Sequence, residues 1–130
     1  MAKVVACNLI IKDDFHNVLI LKKKVKRGEV EKWSILTQKV RGKESHDKCI
    51  TRGAKDILKS VIFDVEPVKE YTVDVEADES IMVYSGRIKE KAVLDKSYKE
   101  CKWIGIRNID DYDFLPLDKE ILLDFFNNDN

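Results

Sequence analysis

An α+β fold, with a mixed β-sheet sandwiched between α-helices, is the class this sequence predicts, on three observations. Short apolar runs of strand length, separated by turn residues, occur at the start of the chain and again past its middle. Two other segments, Ile50 to Val61 and Leu117 to Phe126, repeat apolar residues every three or four positions, as one face of a helix does. The resulting order of strands, helix, strands, helix places helices on the faces of a sheet. The whole chain, residues 1–130, reads as a single domain.

Each element follows from its own pattern. Lys3 to Ile11 carries Val4, Val5, Ala6, Leu9, Ile10 and Ile11, a strand buried on both faces. Asp13 to Asn17 is a turn, and Val18 to Leu21 is a second strand expected to pair with the first as a hairpin. His16 at that turn reads as an exposed polar residue. Lys22 to Lys32 is a charged connection, either a solvated loop or a phosphate-facing patch. Trp33 to Val40 is a strand and loop. Ser45 is a helix N-cap, Asp47 suits the positive end of the helix dipole, and the helix runs to Val61. A connection holding Pro67 leads to a strand in which Tyr71, Val73 and Val75 alternate with polar residues, so that one face is buried. Ala77 to Glu79 is a turn into the strand Ser80 to Ile88, which completes a hairpin. Lys89 to Lys99 is a loop, and a late strand surrounds Trp103. Asn108 to Leu115 is a polar turn. Pro116 opens a final helix with the stripe Leu117, Ile121, Leu122, Phe125 and Phe126, and residues 127–130 are expected to fray.

Composition excludes several classes. The 24 Lys and Arg balance the 24 Asp and Glu, so no net field favours nucleic acid or an acidic membrane. No apolar run is long enough to span a bilayer, and no secretory leader pattern opens the chain, which sets a cytoplasmic expectation. Three cysteines far apart in sequence, without a Cys-x-x-Cys, read as core residues rather than a disulfide framework or a zinc site.

The stretch that carries chemistry runs from Trp33 through Val61. An apolar strand enters a polar loop holding Glu44. Arg52 stands eight residues after Glu44, with Ala54 just beyond it. This strand-loop-helix frame resembles the Nudix box, G-x5-E-x7-R-E-U-x-E-E-x-G-U. Trp33 stands at the lead-in Trp, Glu44 at the first Glu, Arg52 at the Arg and Ala54 at the apolar position. Other positions depart from the pattern. Leu36, Thr37 and Gln38 replace Pro-Gly-Gly, Gly53 replaces the Glu after the Arg, Asp56 and Ile57 stand at the Glu pair, and Lys59 replaces the last Gly.

The resemblance implies the Nudix fold from about Lys3 to Phe126. It also implies a MutT-like hydrolase of nucleoside diphosphate derivatives, in which Mg2+ held by box carboxylates offsets phosphate charge during attack by water. The carboxylates missing at Gly53 and Ile57 make Mg2+ binding and hydrolysis weakly supported. Glu44 and Asp56 remain as candidate catalytic and metal residues. The favoured reading of Glu44 with Arg52 is a structural brace, and that of Asp56 a solvated helix residue. Late-strand Glu100 and the turn acids Glu76, Asp78 and Glu79 are possible substitute ligands. Lys39, Arg41 and Lys43 alternate, either gripping phosphate or forming a wet rim, while Trp33 and Tyr84 could stack a base. Three functions stay open: a Nudix-fold protein with weak or lost activity and a retained nucleotide-sized cleft, an active hydrolase with ligands outside the box, and a non-catalytic interaction module.

Overall fold

The computed structural model describes residues 3–128. Among these residues seven strands form two sheets. The first joins β1 (Lys3–Ile11), β4 (Leu36–Lys39), β5 (Ile62–Asp74) and β6 (Glu79–Ile88) in the order β4-β1-β6-β5. The second joins β2 (Val18–Lys23), β3 (Trp33–Ser34) and β7 (Tyr98–Ile104) in the order β3-β2-β7. The first sheet is mixed, because β1 runs parallel to β6 and antiparallel to β4. Alternation along the strands sends two sets of side chains to opposite faces. Ala6, Ile10, Val18 and Ile20 pack with Ile121, Leu122 and Phe125 of α2 (Pro116–Asn128). Leu9, Ile11, Leu19 and Leu21 pack with Ala54, Ile57 and Leu58 of α1 (His46–Leu58). The strands are thus sandwiched between helices, as the sequence predicts, but they divide into two sheets.

That division corrects the expected first hairpin. Both edges of β1 are taken by β4 and β6, so the chain crosses into the other sheet after one isolated bridge from Lys12 to Val18. The crossing bends sharply at His16, a non-glycine residue at φ +62°. The strand after Trp33 is likewise broken. Ser34 pairs with Leu21 in one sheet and Leu36 with Leu9 in the other.

Three further expectations change. α1 stops at Leu58 rather than Val61, because Lys59 adopts left-handed geometry and the Ser60 N–H closes on the Ala54 carbonyl. Val61 beyond it is 65% exposed. Pro67 lies inside β5, beside a register shift, where an edge strand tolerates the missing N–H. On that edge only Tyr71 is buried, and Val73 and Val75 face solvent. The β5–β6 hairpin forms as expected. A short 3-10 helix, Ile106–Asp111, overlaps the predicted polar turn. α2 is helical through Asn128, where fraying was expected, and residues 129 and 130 lie outside the described residues. Cys7 and Cys49 are fully buried in one cluster with Ile50, Cys101 is half-buried, and all three are free thiols. Among the described residues no helix is long and apolar enough to cross a membrane.

Candidate functional site

The box loop is built by three local devices. Gly42 supplies the left-handed turn at φ +52°, a conformation that a side chain disfavours. The Ser45 hydroxyl accepts the Lys48 N–H and starts α1. Glu44 then closes the loop, since its Oε1 accepts the Arg41 N–H at 3.1 Å and the Nη2 of Arg52 at 2.8 Å. Its Oε2 accepts Arg52 Nε at 2.9 Å. Nη2 of Arg52 also donates to the Lys39 carbonyl at 2.8 Å, so one guanidinium ties β4, loop and helix together. Hydrogen bonds from Arg52, joined by that from the Arg41 backbone, hold the Glu44 carboxyl down to about 2.

On the sheet side of α1 two of the box carboxylate positions are closely packed. A Cβ on Gly53 would lie 3.1 Å from both Gln38 Cβ and Leu36 Cδ2. This close helix-strand approach is why a glycine sits in mid-helix, despite a cost near 1 kcal/mol against alanine. Ile57 is buried among Leu9, Leu36 and Leu58. The connection after β6 seals the same region, with Val93 N–H on the Leu58 carbonyl, Asp95 N–H on the Ile57 carbonyl, and Ala92 and Leu94 packed over the apolar cluster.

Mg2+ requires several oxygen ligands in near-octahedral array. Here one box position has no side chain and another is a buried isoleucine. Both Glu44 oxygens already accept N–H groups, and Asp56 stands exposed on the solvent face. Among the described residues no three His, Cys, Asp or Glu side chains gather at one point. Glu100 pairs with Lys22 at 3.5 Å, and Glu76, Asp78 and Glu79 lie at the β5–β6 turn. The donor set does not fit the ion.

The other predicted site residues are separated. Arg41 and Asp56, with Lys48, Thr51 and Lys55, line a shallow depression of about 510 Å3 on the outer face of α1. Lys39 and Lys43 are exposed but do not line it. Trp33 is enclosed, contrary to a stacking role. Tyr112 meets its ring edge-on at 5.2 Å, and Lys22 lies 4.8 Å from its centroid. Tyr84 belongs to the α1 side, half-buried, its hydroxyl 3.0 Å from His46 Nδ1, so the two aromatics do not share a cleft.

Two polar residues were not singled out from sequence. His46 follows the N-cap, but nothing local announces its contact with Tyr84. Asp118 is readable as an acid in the first turn of α2. Only the fold shows that it is 7% exposed and accepts the Ile35 N–H at 3.0 Å. Burial raises its carboxyl to about 6, against the opposing pull of that hydrogen bond.

Two sheets between two helices, with a strand-loop-helix box locked by a Glu-Arg pair, define the Nudix fold. The chain has this fold in its MutT-like form. A structure from a study of MutT from Aliivibrio salmonicida and Vibrio cholerae superposes with a TM-score of 0.80 at 14% identity, covering 95% of this chain and 96% of that one. A MutT protein from Methanosarcina mazei gives 0.75 at 17% identity, covering 99% and 96%. The Nudix domain of Shewanella oneidensis NrtR, complexed with ADP-ribose, gives 0.69 at 13% identity, covering 95% and 86%. No protein-family model and no curated protein sequence matches the chain.

Proposed function

We propose that this chain is a Nudix-fold protein whose box acts as a structural brace, with weak or no pyrophosphohydrolase activity, and that it binds a nucleotide-like ligand. The observation that carries the reading is the contact of Gly53 with Leu36 and Gln38, together with the burial of Ile57. Residues at two of the positions that resemble metal carboxylates are used for packing. The saturated Glu44 carboxylate supports the brace in the same way.

The ligand half of the reading rests on charge and likeness. Arg41, Lys48 and Lys55 face the depression on α1 against Asp47 and Asp56, with Arg52 already paired to Glu44, which leaves one cation in excess for phosphate. The bound ADP-ribose of the NrtR domain supports a nucleotide-like ligand for this chain.

The test is a hydrolysis screen of nucleoside diphosphate derivatives with Mg2+ and with Mn2+. Product formation at the protein-free rate is the expected result. Turnover that disappears in Asp56→Asn would overturn the reading and favour a working hydrolase with ligands outside the box.

A further inference from the structure

A second cavity, of about 580 Å3, lies away from the box, where the β1–β2 turn meets the end of α2. Its volume is in the range of small-molecule sites. None of its lining residues comes from α1 or the box loop. Val18, Ile106, Phe125 and Phe126 make an apolar, partly aromatic wall, and Lys12 and Arg87 stand beside it.

Two cations and two carboxylates balance there, so what the cavity can hold depends on which of them still has a partner to find. Two acids, Asp13 and Asp14, also line the cavity, but both are already engaged. Asp13 accepts the backbone N–H of Phe15 and of Asn17, each at 2.9 Å, and the Asn17 side-chain amide at 3.0 Å. Asp14 is ion-paired with Arg87. Lys12 has no carboxylate partner among the described residues, and its ammonium lies 6.0 Å from the centre of the Phe125 ring. Asp13 keeps its negative charge, but both its oxygens already accept N–H groups, so the charged group left with free hydrogen-bonding capacity is the Lys12 ammonium at the edge of the aromatic wall. His16, held at φ +62°, presents a second nitrogen base at the rim.

We infer that this cavity is a binding site for a small aromatic anion, a planar ring bearing one phosphate or carboxylate group. The ring packs on Phe125 and Phe126 and the anion pairs with Lys12. A cationic analogue meets Lys12 with repulsion and finds only carboxylates that are already hydrogen-bonded or ion-paired. The site is independent of the nucleotide reading above, since it shares no residue with the depression on α1.

The experiment is an amide NMR titration of the full chain with phenyl phosphate, phenylacetate, phenethylamine and inorganic phosphate. Saturable shifts in the millimolar range at Asn17, Val18, Ile106 and Phe126 are expected with the two aromatic anions and not with phenethylamine. The relative affinity of phenyl phosphate and phenylacetate identifies the preferred anion. Inorganic phosphate should bind more weakly, for lack of a ring. Lys12→Glu should weaken phenyl phosphate roughly tenfold or more while its spectrum stays folded. Should that substitution disturb the strand, Lys12→Gln gives the same test with a smaller change. Equal shifts from phenethylamine, unchanged affinity in a folded Lys12 variant, or no saturable shift at these amides would overturn the assignment.

Discussion

Glu44 and Asp118 are both carboxylates that accept backbone N–H groups, and their surroundings push them in opposite directions. Glu44 titrates at about 2 in the folded chain against an ordinary 4.5. Its stabilising contribution is therefore complete above that ordinary value and is lost as pH falls towards 2. Arg52→Ala should lower the melting temperature by several degrees at neutral pH, and the gap from the parent chain should narrow as Glu44 is protonated. A constant gap across an acid titration would mean that the guanidinium matters only through packing. Asp118 titrates at about 6 against 3.8, because it is buried. The folded state holds this proton more tightly than the unfolded chain, so stability falls as pH rises between those values and is level above them. The difference corresponds to roughly 3 kcal/mol. Asp118→Asn can still accept the Ile35 N–H, and urea unfolding from pH 4 to pH 6 should show that slope removed. An unchanged slope would assign it to another group.

At the scale of elements, α1 is where sequence and fold agree best and also where they part. Its start at Ser45 and its apolar face were legible, because caps and periodicity are local signals, and the Glu44–Arg52 pairing was legible through the resemblance to the Nudix box. Why position 53 is glycine was not legible, since the reason lies in β4, at Leu36 and Gln38. The helix end was missed for a related reason. Lys59 takes a left-handed conformation that normally disfavours a side chain by about 1–2 kcal/mol, so composition does not mark the stop. Restoring the box with Gly53→Glu and Ile57→Glu should therefore damage the fold rather than create a site. Ile57→Glu alone removes a buried apolar side chain and introduces a charge, an expected loss of about 4 kcal/mol in urea unfolding. Recovery of the double variant to parental stability on adding Mg2+ would show that these positions can reach a metal.

For the molecule as a whole, the order of strands and helices could be read, but not how the strands divide. Alternation tells which side chains are buried and not which partner a strand takes, so the expected hairpin of β1 with β2 proved to be a crossing between sheets. The site was less legible than the fold, because Trp33, Tyr84 and the three loop cations are spread over different surfaces. Two measurements on the intact chain follow. Titration calorimetry with Mg2+ should show binding no tighter than millimolar, worth about 4 kcal/mol at that limit, and micromolar binding would contradict the donor-set argument. Nucleotides that raise the melting temperature should do so equally in EDTA and in Mg2+. Stabilisation that needs Mg2+ would point to a working hydrolase, and none in either condition to an interaction module. The parallel pairing of β1 with β6 joins Lys3 to Glu79. During synthesis β1 leaves the ribosome long before that partner exists. β4 can cover one edge of it early, but the other edge, along six residues all destined for burial, must wait through the making of α1 and β5. Closing so long a loop carries an entropy cost before any contact offsets it. The newborn chain should thus be most exposed to aggregation, and most in need of a chaperone, in the interval before β6 emerges.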